Sequence, residues 1–202
     1  MPSNVVFHTI KKVVYPVFAP SIDLTGAKNL PLTGGYIIAA NHVDWLDGFF
    51  VATAVSGERD VPVNFLTASN NYWWTTMTIP IATKQSGIVD AAVDQLRHGK
   101  IICNFPEGAR NNSRKLLPGK TGTVRMAALA NVPIIPVGIT YPSHRTMAQS
   151  FVSIVSRREK AKLMIGQPLW FSMPGREFTN DWLREETERL MKAIAPLAGK
   201  QI

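Results

Sequence analysis

The residues best suited to acid–base chemistry lie in the segment 41–47 (NHVDWLD), directly after an apolar run. His42 and Asp47 stand five positions apart. On an ideal helix this spacing leaves two side chains roughly 140° apart, so the pair can meet only if His42 precedes a helix and Asp47 lies in its second turn. The carboxylate could then accept a proton from one ring nitrogen and leave the other nitrogen basic. The same spacing also allows Asp44 to be a helix N-cap and His42 an ordinary hydrogen-bonded loop residue.

A second candidate segment, 105–110 (FPEGAR), could bind an anion. Gly108 allows a tight turn or a close approach to a ligand, and the planar guanidinium of Arg110 suits phosphate. Between positions 97 and 125 the chain has seven basic residues and a single acid, Glu107. This segment is therefore either a phosphate-binding region or a solvated basic loop in which Glu107 forms an ion pair.

Both candidate segments follow apolar runs that read as buried strands, and strand and helix patterns alternate along the chain. This alternation predicts a single-domain α/β sandwich with a mostly parallel central sheet flanked by helices. Sites in such sheets lie at the carboxyl ends of the strands, where the two segments are expected to meet. Strands are predicted at 35–40, 61–67, 100–105, 133–140 and 161–165, and helices at 44–55, 88–98, 121–130 and 181–195.

Three motifs in order along the chain resemble those of the lysophospholipid and glycerol-phosphate acyltransferases, whose bacterial type is 1-acyl-glycerol-3-phosphate acyltransferase. Segment 41–47 matches the family's NHxxxxD motif, 105–110 matches FPEGxR, and 132–137 matches the proline-bearing VPIIPV motif. The resemblance spans about residues 24–169, with GKTG at 119–122 and IGQP at 165–168. It implies the glycerol-3-phosphate acyltransferase-like α/β fold.

The resemblance also implies a reaction and roles for its residues. His42 is then the general base that deprotonates an acceptor hydroxyl, Asp47 orients it, and the hydroxyl attacks a thioester without an acyl-enzyme. Glu107, Gly108 and Arg110 are expected to hold a phosphate-bearing acceptor, with Lys84 and Lys120 as further substrate-binding residues. The donor is acyl-CoA or acyl carrier protein, and no other cofactor and no metal is expected.

Departures from the family pattern leave the acceptor open. Lys84 stands where many members have an arginine, and a lysine found upstream in the family is missing near Ser69 and Asn70. Asp44 stands where a serine is common. The expected acceptor is a lysophospholipid, foremost 1-acyl-sn-glycerol-3-phosphate. Another lipid or glycolipid acceptor is the alternative, and a lipid-binding module with a vestigial site is the non-enzymatic one.

The composition limits the classes of partner that the chain is expected to bind. The formal net charge of +8 suits an anionic membrane surface and phosphorylated substrates. No basic motif interleaved with aromatic residues indicates a nucleic-acid partner. The one cysteine, Cys103, excludes an internal disulfide framework and is expected in the core. His8, His98 and His144 lack metal-ligand spacing and read as surface or capping groups.

The N-terminal segment and two internal segments are relevant to membrane association. Residues 1–22 are expected to form an amphipathic helix that either associates with a membrane or packs on the acyltransferase domain, residues 23–202. The chain shows no secretory signal and no long apolar run, so a cytoplasmic protein peripheral to the inner face of the membrane is expected. The uncharged segment 61–83 could line a groove for an acyl chain or be core. The basic run 157–162 suits anionic lipid or solvent equally well.

Overall fold

The protein is described from a computed structural model, which covers residues 2–67, 78–80, 86–157, 159–172 and 178–202. A seven-stranded sheet forms the centre, in the order β1-β7-β6-β2-β5-β3-β4. Neighbouring strands are parallel except β6 and β7, which run antiparallel. The strands are β1 (Ile22–Thr25), β2 (Tyr36–Ala40), β3 (Val63–Thr67), β4 (Thr78–Pro80), β5 (Ile101–Asn104), β6 (Ile134–Thr140) and β7 (Ala161–Ile165).

Two helical layers cover the sheet, which confirms the predicted mostly parallel α/β sandwich. One layer consists of α1 (Pro2–Val13), α2 (Tyr15–Phe18), α3 (Asp47–Arg59) and α6 (Met147–Val155). The other consists of α4 (Ser86–Arg97), α5 (Gly122–Ala130) and α7 (Asn180–Leu197). Strand β2 shows why the layers are needed. Tyr36 and Ile38 join the core of the first layer and Ile37 that of the second, so the strand is apolar at every position.

The observed elements differ from the predicted ones mainly where tertiary contacts determine the bounds or the existence of an element. The helix expected over 44–55 begins at Asp47, because residues 42–46 form a loop around the Asp47 carboxylate. Strands β1 and β4 and helix α6 were not predicted. Helix α6 is rich in serine and β-branched residues, which are weak helix formers, and its start is fixed by the Thr146 side chain accepting the Gln149 N–H.

The prolines in the predicted strand 133–140 indicate either its start or a sheet edge, and β6 is not an edge, because it lies between β7 and β2. Pro133 lies just before the strand, and Pro136 lies within it. The Pro136 carbonyl faces the β7 side and accepts the N–H of Gly166, just beyond the end of β7. Since the N and C=O of one strand residue point the same way, the missing N–H of Pro136 faces the region beyond the end of β7 and removes no bond to β2.

The N-terminal helices pack on the first layer. Phe7, Tyr15 and Phe18 are buried in its core, whereas Val13 and Val17 are exposed to solvent. None of the helices in the described ranges is long and apolar enough to cross a membrane. A division between residues 1–22 and 23–202 stays a prediction. Most of the predicted groove segment 61–83 lies outside the described residues.

Candidate active site

The candidate base lies in a loop that is pinned between two neighbouring strands. Asn41 directly follows β2 and is fully buried. Its side-chain amide pairs with the backbone of Ile139 in β6: Nδ2 donates to the Ile139 carbonyl at 2.9 Å, and Oδ1 accepts the Ile139 N–H at 2.7 Å. The backbone of His42 is held next, since its carbonyl accepts the N–H of Asn111 at 2.6 Å. The bonds of Asn41 to β6 therefore fix the position of the backbone from which His42 extends.

The structure brings His42 and Asp47 together. Nδ1 of His42 lies 2.8 Å from Oδ2 of Asp47. The same oxygen accepts the backbone N–H groups of Val43 at 2.6 Å and Asp44 at 2.9 Å, and the Asp47 side chain is fully buried. Asp47 is the first residue of α3, not a residue of its second turn. The meeting is achieved by the loop that curls back over the helix start.

Burial dominates the electrostatics of the carboxylate. Desolvation raises the pKa of Asp47, and the hydrogen bonds from His42 and from the Asp44 and Val43 N–H groups act in the opposite direction. A carboxylate in this setting accepts the Nδ1 proton of His42, so Nε2 presents its lone pair outward. The His42 ring also stacks on Phe105, with 4.3 Å between ring centroids, and its side chain is 23% exposed. This geometry suits a general base.

Glu107 is turned toward the protein. Oε1 accepts the N–H of His42 at 3.1 Å, and Oε2 accepts from Asn111 Nδ2 at 2.7 Å and from the Leu117 N–H at 2.9 Å. Its residue exposure is 4%. These contacts assign Glu107 to positioning the His42 loop, and its direct contact with an acceptor stays a prediction.

Gly108 and Lys120 lie against each other. Gly108 has φ 68°, a left-handed conformation that favours glycine, and a Cβ there would overlap the Lys120 side chain and its Nζ. The Lys120 N–H donates to the Pro106 carbonyl at 2.8 Å. The absence of a side chain at Gly108 therefore lets Lys120, one of the predicted substrate-binding residues, lie against the loop that follows β5.

Arg110 is exposed, and its guanidinium stacks on the indole of Trp45, 3.4 Å from the ring centroid. This cation–π contact holds the arginine beside the loop that carries His42. Since β2 and β5 are parallel neighbours, Arg110 and His42 follow strands that end at the same edge. Lys84, the remaining predicted substrate-binding residue, lies outside the described residues, as do Ser69 and Asn70.

Several residues at the site were missed from the sequence or read differently. Asp44 does not cap α3, whose N-cap residue is Leu46 without a side-chain cap. Its Oδ1 accepts the Leu46 N–H at 3.2 Å, and its Oδ2 accepts from His144, 100 positions away. No local pattern could have revealed that pairing. Trp45, within the segment 41–47, and Asn111, directly after the segment 105–110, carried no sequence signal beyond their positions.

Cys103 lies in the core of β5, where burial raises the pKa of its thiol. A thiol in that state is a poor nucleophile. Among the described residues, no group of three or more His, Cys, Asp or Glu side chains is placed to hold a metal ion.

Comparisons with known proteins identify the family of the chain. Residues 21–140, more than half of the chain, match the Acyltransferase family. The chain is 25% identical over 189 residues to the 1-acyl-sn-glycerol-3-phosphate acyltransferase of Bacillus subtilis, covering 89% of each chain. It is 29% identical over 140 residues to the Escherichia coli enzyme of that name, covering 64% of this chain and 57% of the relative.

A mammalian relative and a solved structure are also similar. The mouse 1-acyl-sn-glycerol-3-phosphate acyltransferase alpha is 27% identical over 165 residues, and this chain spans about half (51%) of its length. The crystal structure of the 1-acyl-sn-glycerophosphate (LPA) acyltransferase from Thermotoga maritima shares the fold, with a TM-score of 0.62 and 20% identity over 94% of this chain and 78% of that one. The chain therefore belongs to the Acyltransferase family and is an acyltransferase.

Proposed function

We propose that the chain transfers a fatty acyl group from a thioester donor to the free hydroxyl of 1-acyl-sn-glycerol-3-phosphate, giving phosphatidic acid for phospholipid biosynthesis. The relatives that carry that activity in their names support the acceptor. The donor is acyl-CoA or acyl carrier protein. The observation that carries the chemistry is the 2.8 Å contact between His42 and the buried Asp47 carboxylate.

The reaction follows from this pair. Nε2 of His42 takes the hydroxyl proton while the hydroxyl oxygen attacks the thioester carbonyl, forming a C–O bond and a tetrahedral oxyanion. The C–S bond then breaks, and the departing thiolate receives from the imidazolium the proton that came from the hydroxyl. Asp47 stabilises the imidazolium that forms between these steps. The acyl group passes directly to the acceptor, and the only cysteine of the chain, Cys103, is too deeply buried to take part.

The acceptor phosphate is assigned to the cations of the loop that follows β5. Arg110 is held beside the catalytic loop by Trp45, and Lys120 lies against Gly108. A guanidinium binds phosphate through two parallel hydrogen bonds, which orients the lipid as well as attracting it.

A membrane surface is the proposed source of the acceptor. Helices α2 and α6 lie side by side, and Ser21, in the short 3₁₀ turn that follows α2, donates from Oγ to the Ile154 carbonyl of α6 at 3.3 Å. Their solvent side and the end of α1 expose apolar side chains, with the exposed cations Lys12 and Arg157 nearby in the chain. We name this surface the apolar patch: Val13, Val17, Phe151, Val152 and Val155. Apolar residues with basic neighbours suit an anionic bilayer. Location at the inner face stays a prediction.

The test is acyl transfer by the purified chain, with oleoyl-CoA or oleoyl-acyl carrier protein as donor and 1-oleoyl-glycerol-3-phosphate as acceptor. His42→Ala is expected to lower kcat by about 10²- to 10⁴-fold, because the base is lost. Asp47→Asn keeps an acceptor oxygen for the loop N–H groups but removes the charge, so it is expected to lower kcat with little change in folding. Unchanged turnover in His42→Ala would contradict the mechanism.

A further inference from the structure

A cleft of about 440 Å³ opens beside the loop that carries His42, and Val43, the next residue, forms part of its wall. Two arginines from different parts of the chain line it, and none of its lining residues is acidic. The lining residues are Val43, Arg110, Asn112, Ser143, His144 and Arg145.

We propose that Arg145 is a second binding residue for the phosphate of the acceptor, acting together with Arg110, and that His144 is the positioning residue that holds it at the cleft. The inference rests on the proposed function and concerns the same site. It adds the loop 141–146, between β6 and α6, as a wall of the acceptor pocket.

The charge pattern of the cleft supports a phosphate ligand. Within the described part of the chain, the guanidinium groups of Arg110 and Arg145 form no ion pair. Arg110 is stacked on Trp45, and the Arg145 backbone N–H is held by Gln149 Oε1 at 3.2 Å. Two guanidinium groups at one cleft without a carboxylate on its walls favour a dianionic group, for which a phosphate monoester is suited.

The anchor of the loop is a buried carboxylate. Oδ2 of Asp44 accepts the backbone N–H of His144 at 3.0 Å and lies 3.2 Å from its Nδ1. Nε2 of the same ring lies 3.2 Å from a carboxylate oxygen of Glu159. The Asp44 side chain is fully buried and the His144 side chain is 17% exposed. Since Arg145 follows directly, these contacts fix where its side chain leaves the backbone.

Asp44 connects this anchor to the catalytic pair. Its own backbone N–H donates to Oδ2 of Asp47 at 2.9 Å. One residue therefore touches both the carboxylate that orients His42 and the loop that carries Arg145. This gives a physical reason for an aspartate at position 44, where the family pattern often has a serine: a carboxylate can accept both donors of His144.

The test measures phosphate binding separately from catalysis. Dodecyl phosphate has no hydroxyl to acylate, and its binding to the purified chain is measured by titration calorimetry below its micelle concentration. Arg145→Ala is expected to weaken binding about 10- to 100-fold, the range for a hydrogen bond to a charged group. Arg145→Lys is expected to be intermediate, because the charge remains and the planar fork is lost. Arg189→Ala, which removes an exposed arginine on α7 that is paired with Glu186, is the control and should bind as the unchanged chain.

The role of His144 is tested by a pair of variants. His144→Ala removes the ring donor to Asp44, whereas His144→Asn keeps a side-chain N–H near the position of Nδ1. We expect His144→Ala to raise the KM for 1-oleoyl-glycerol-3-phosphate several-fold with a smaller change in kcat, and His144→Asn to restore the KM. A merely structural loss of folding would lower kcat and thermal stability together, without rescue by asparagine.

The outcomes separate this inference from the proposed function. If Arg145→Ala binds dodecyl phosphate as the unchanged chain does while Arg110→Ala does not, Arg145 is not part of the pocket and the inference fails. If neither variant affects binding, the phosphate lies elsewhere and the inference also fails. Tight binding that depends on Arg145 supports the pocket even if no acyl transfer is found, in which case the proposed reaction is the part that fails.

Discussion

At the residue scale, His42 is held at both of its backbone polar groups, at one ring nitrogen and at one ring face. Its backbone N–H is bound by Glu107, its carbonyl by Asn111, and its Nδ1 by Asp47. Phe105 covers one face of the ring. A base fixed in this way loses little entropy on reaching the transition state, which is how positioning contributes to rate. The proposed chemistry therefore depends on the side chains that hold His42 in place.

Glu107→Gln separates positioning from phosphate contact. The amide NH₂ group would confront either the His42 N–H or the two donors on Oε2, Asn111 and Leu117. We expect a loss of about 1–3 kcal/mol in the free energy of unfolding and a lower kcat. The KM for 1-oleoyl-glycerol-3-phosphate should change less than in Arg110→Ala. A larger effect on KM than on kcat would instead support direct contact of Glu107 with the acceptor.

Tyr36 gives a prediction about alkaline pH. Burial raises the pKa of Tyr36 to about 12, an effect that the nearby positive charge of Arg59 partly offsets. Because the unfolded chain loses this proton near pH 10 and the folded chain near pH 12, stability present below pH 10 is lost as the pH rises between them. The maximum slope is about 1.4 kcal/mol per pH unit.

Tyr36→Phe removes that ionisation. No described residue is a hydrogen-bond partner of the Tyr36 hydroxyl, so its removal is expected to stabilise the fold by about 1 kcal/mol at neutral pH. Urea unfolding at several pH values between 9 and 11.5 should give a shallower pH dependence for the variant than for the unchanged chain. Parallel curves for the two proteins would show that Tyr36 does not titrate in this range.

At the element scale, the contact between β6 and α7 sets the position of the C-terminal segment behind the site. Gly138 of β6 faces the helix end, and a Cβ there would overlap the backbone of Leu197 and Ala198. Beyond the helix, Nζ of Lys200 hydrogen-bonds to the carbonyl of Asn111, close to Glu107. The end of α7 is therefore connected through Lys200 to Asn111, whose N–H donates to the His42 carbonyl.

Gly138→Ala is expected to lower the free energy of unfolding by about 1–3 kcal/mol, because the added methyl forces the helix away from the strand. The measurement is the midpoint of urea denaturation. Gly57→Ala is the matched control: it lies within α3 with open space around the position. There the same substitution should stabilise by about 0.5–1 kcal/mol. Equal effects at both positions would contradict the packing argument.

At the scale of the whole molecule, charge and apolar surface together predict binding to anionic membranes. The chain carries a net charge of +8, and the apolar patch lies on the helical layer that includes α6, the helix that follows the 141–146 loop. A protein that binds bilayers by both effects responds to salt and to the loss of apolar side chains.

Sedimentation with phosphatidylglycerol-containing vesicles checks this expectation. The double variant Phe151→Ser with Val152→Ser should bind about tenfold or more weakly, since two exposed apolar side chains no longer enter the bilayer. Leu32→Ser, which removes an exposed leucine outside the patch, should leave binding unchanged. Raising the salt concentration should weaken the binding of all three proteins. Equal binding by the double variant would place the membrane contact elsewhere.

The sequence alone determined the features that depend on local periodicity and on ordered motifs. Unbroken apolar runs such as that of β2 indicated strands buried on both faces, and the alternation with helices indicated the α/β sandwich. The motifs around His42 and Arg110 indicated the acyltransferase chemistry. Elements with weak local patterns, such as α6 and β1, could not be found, because their side chains are explained only by the surfaces they pack against.

The tertiary structure decided the contacts between residues that are distant in the chain. It turned the Glu107 carboxylate toward the His42 backbone, paired Asp44 with His144, and started α3 at Asp47. These contacts depend on which loops lie at the same edge of the sheet once the layers have packed. Periodicity reports the conformation of a segment, whereas the partner of a buried carboxylate is chosen by whichever donors the completed fold brings within about 3 Å of it.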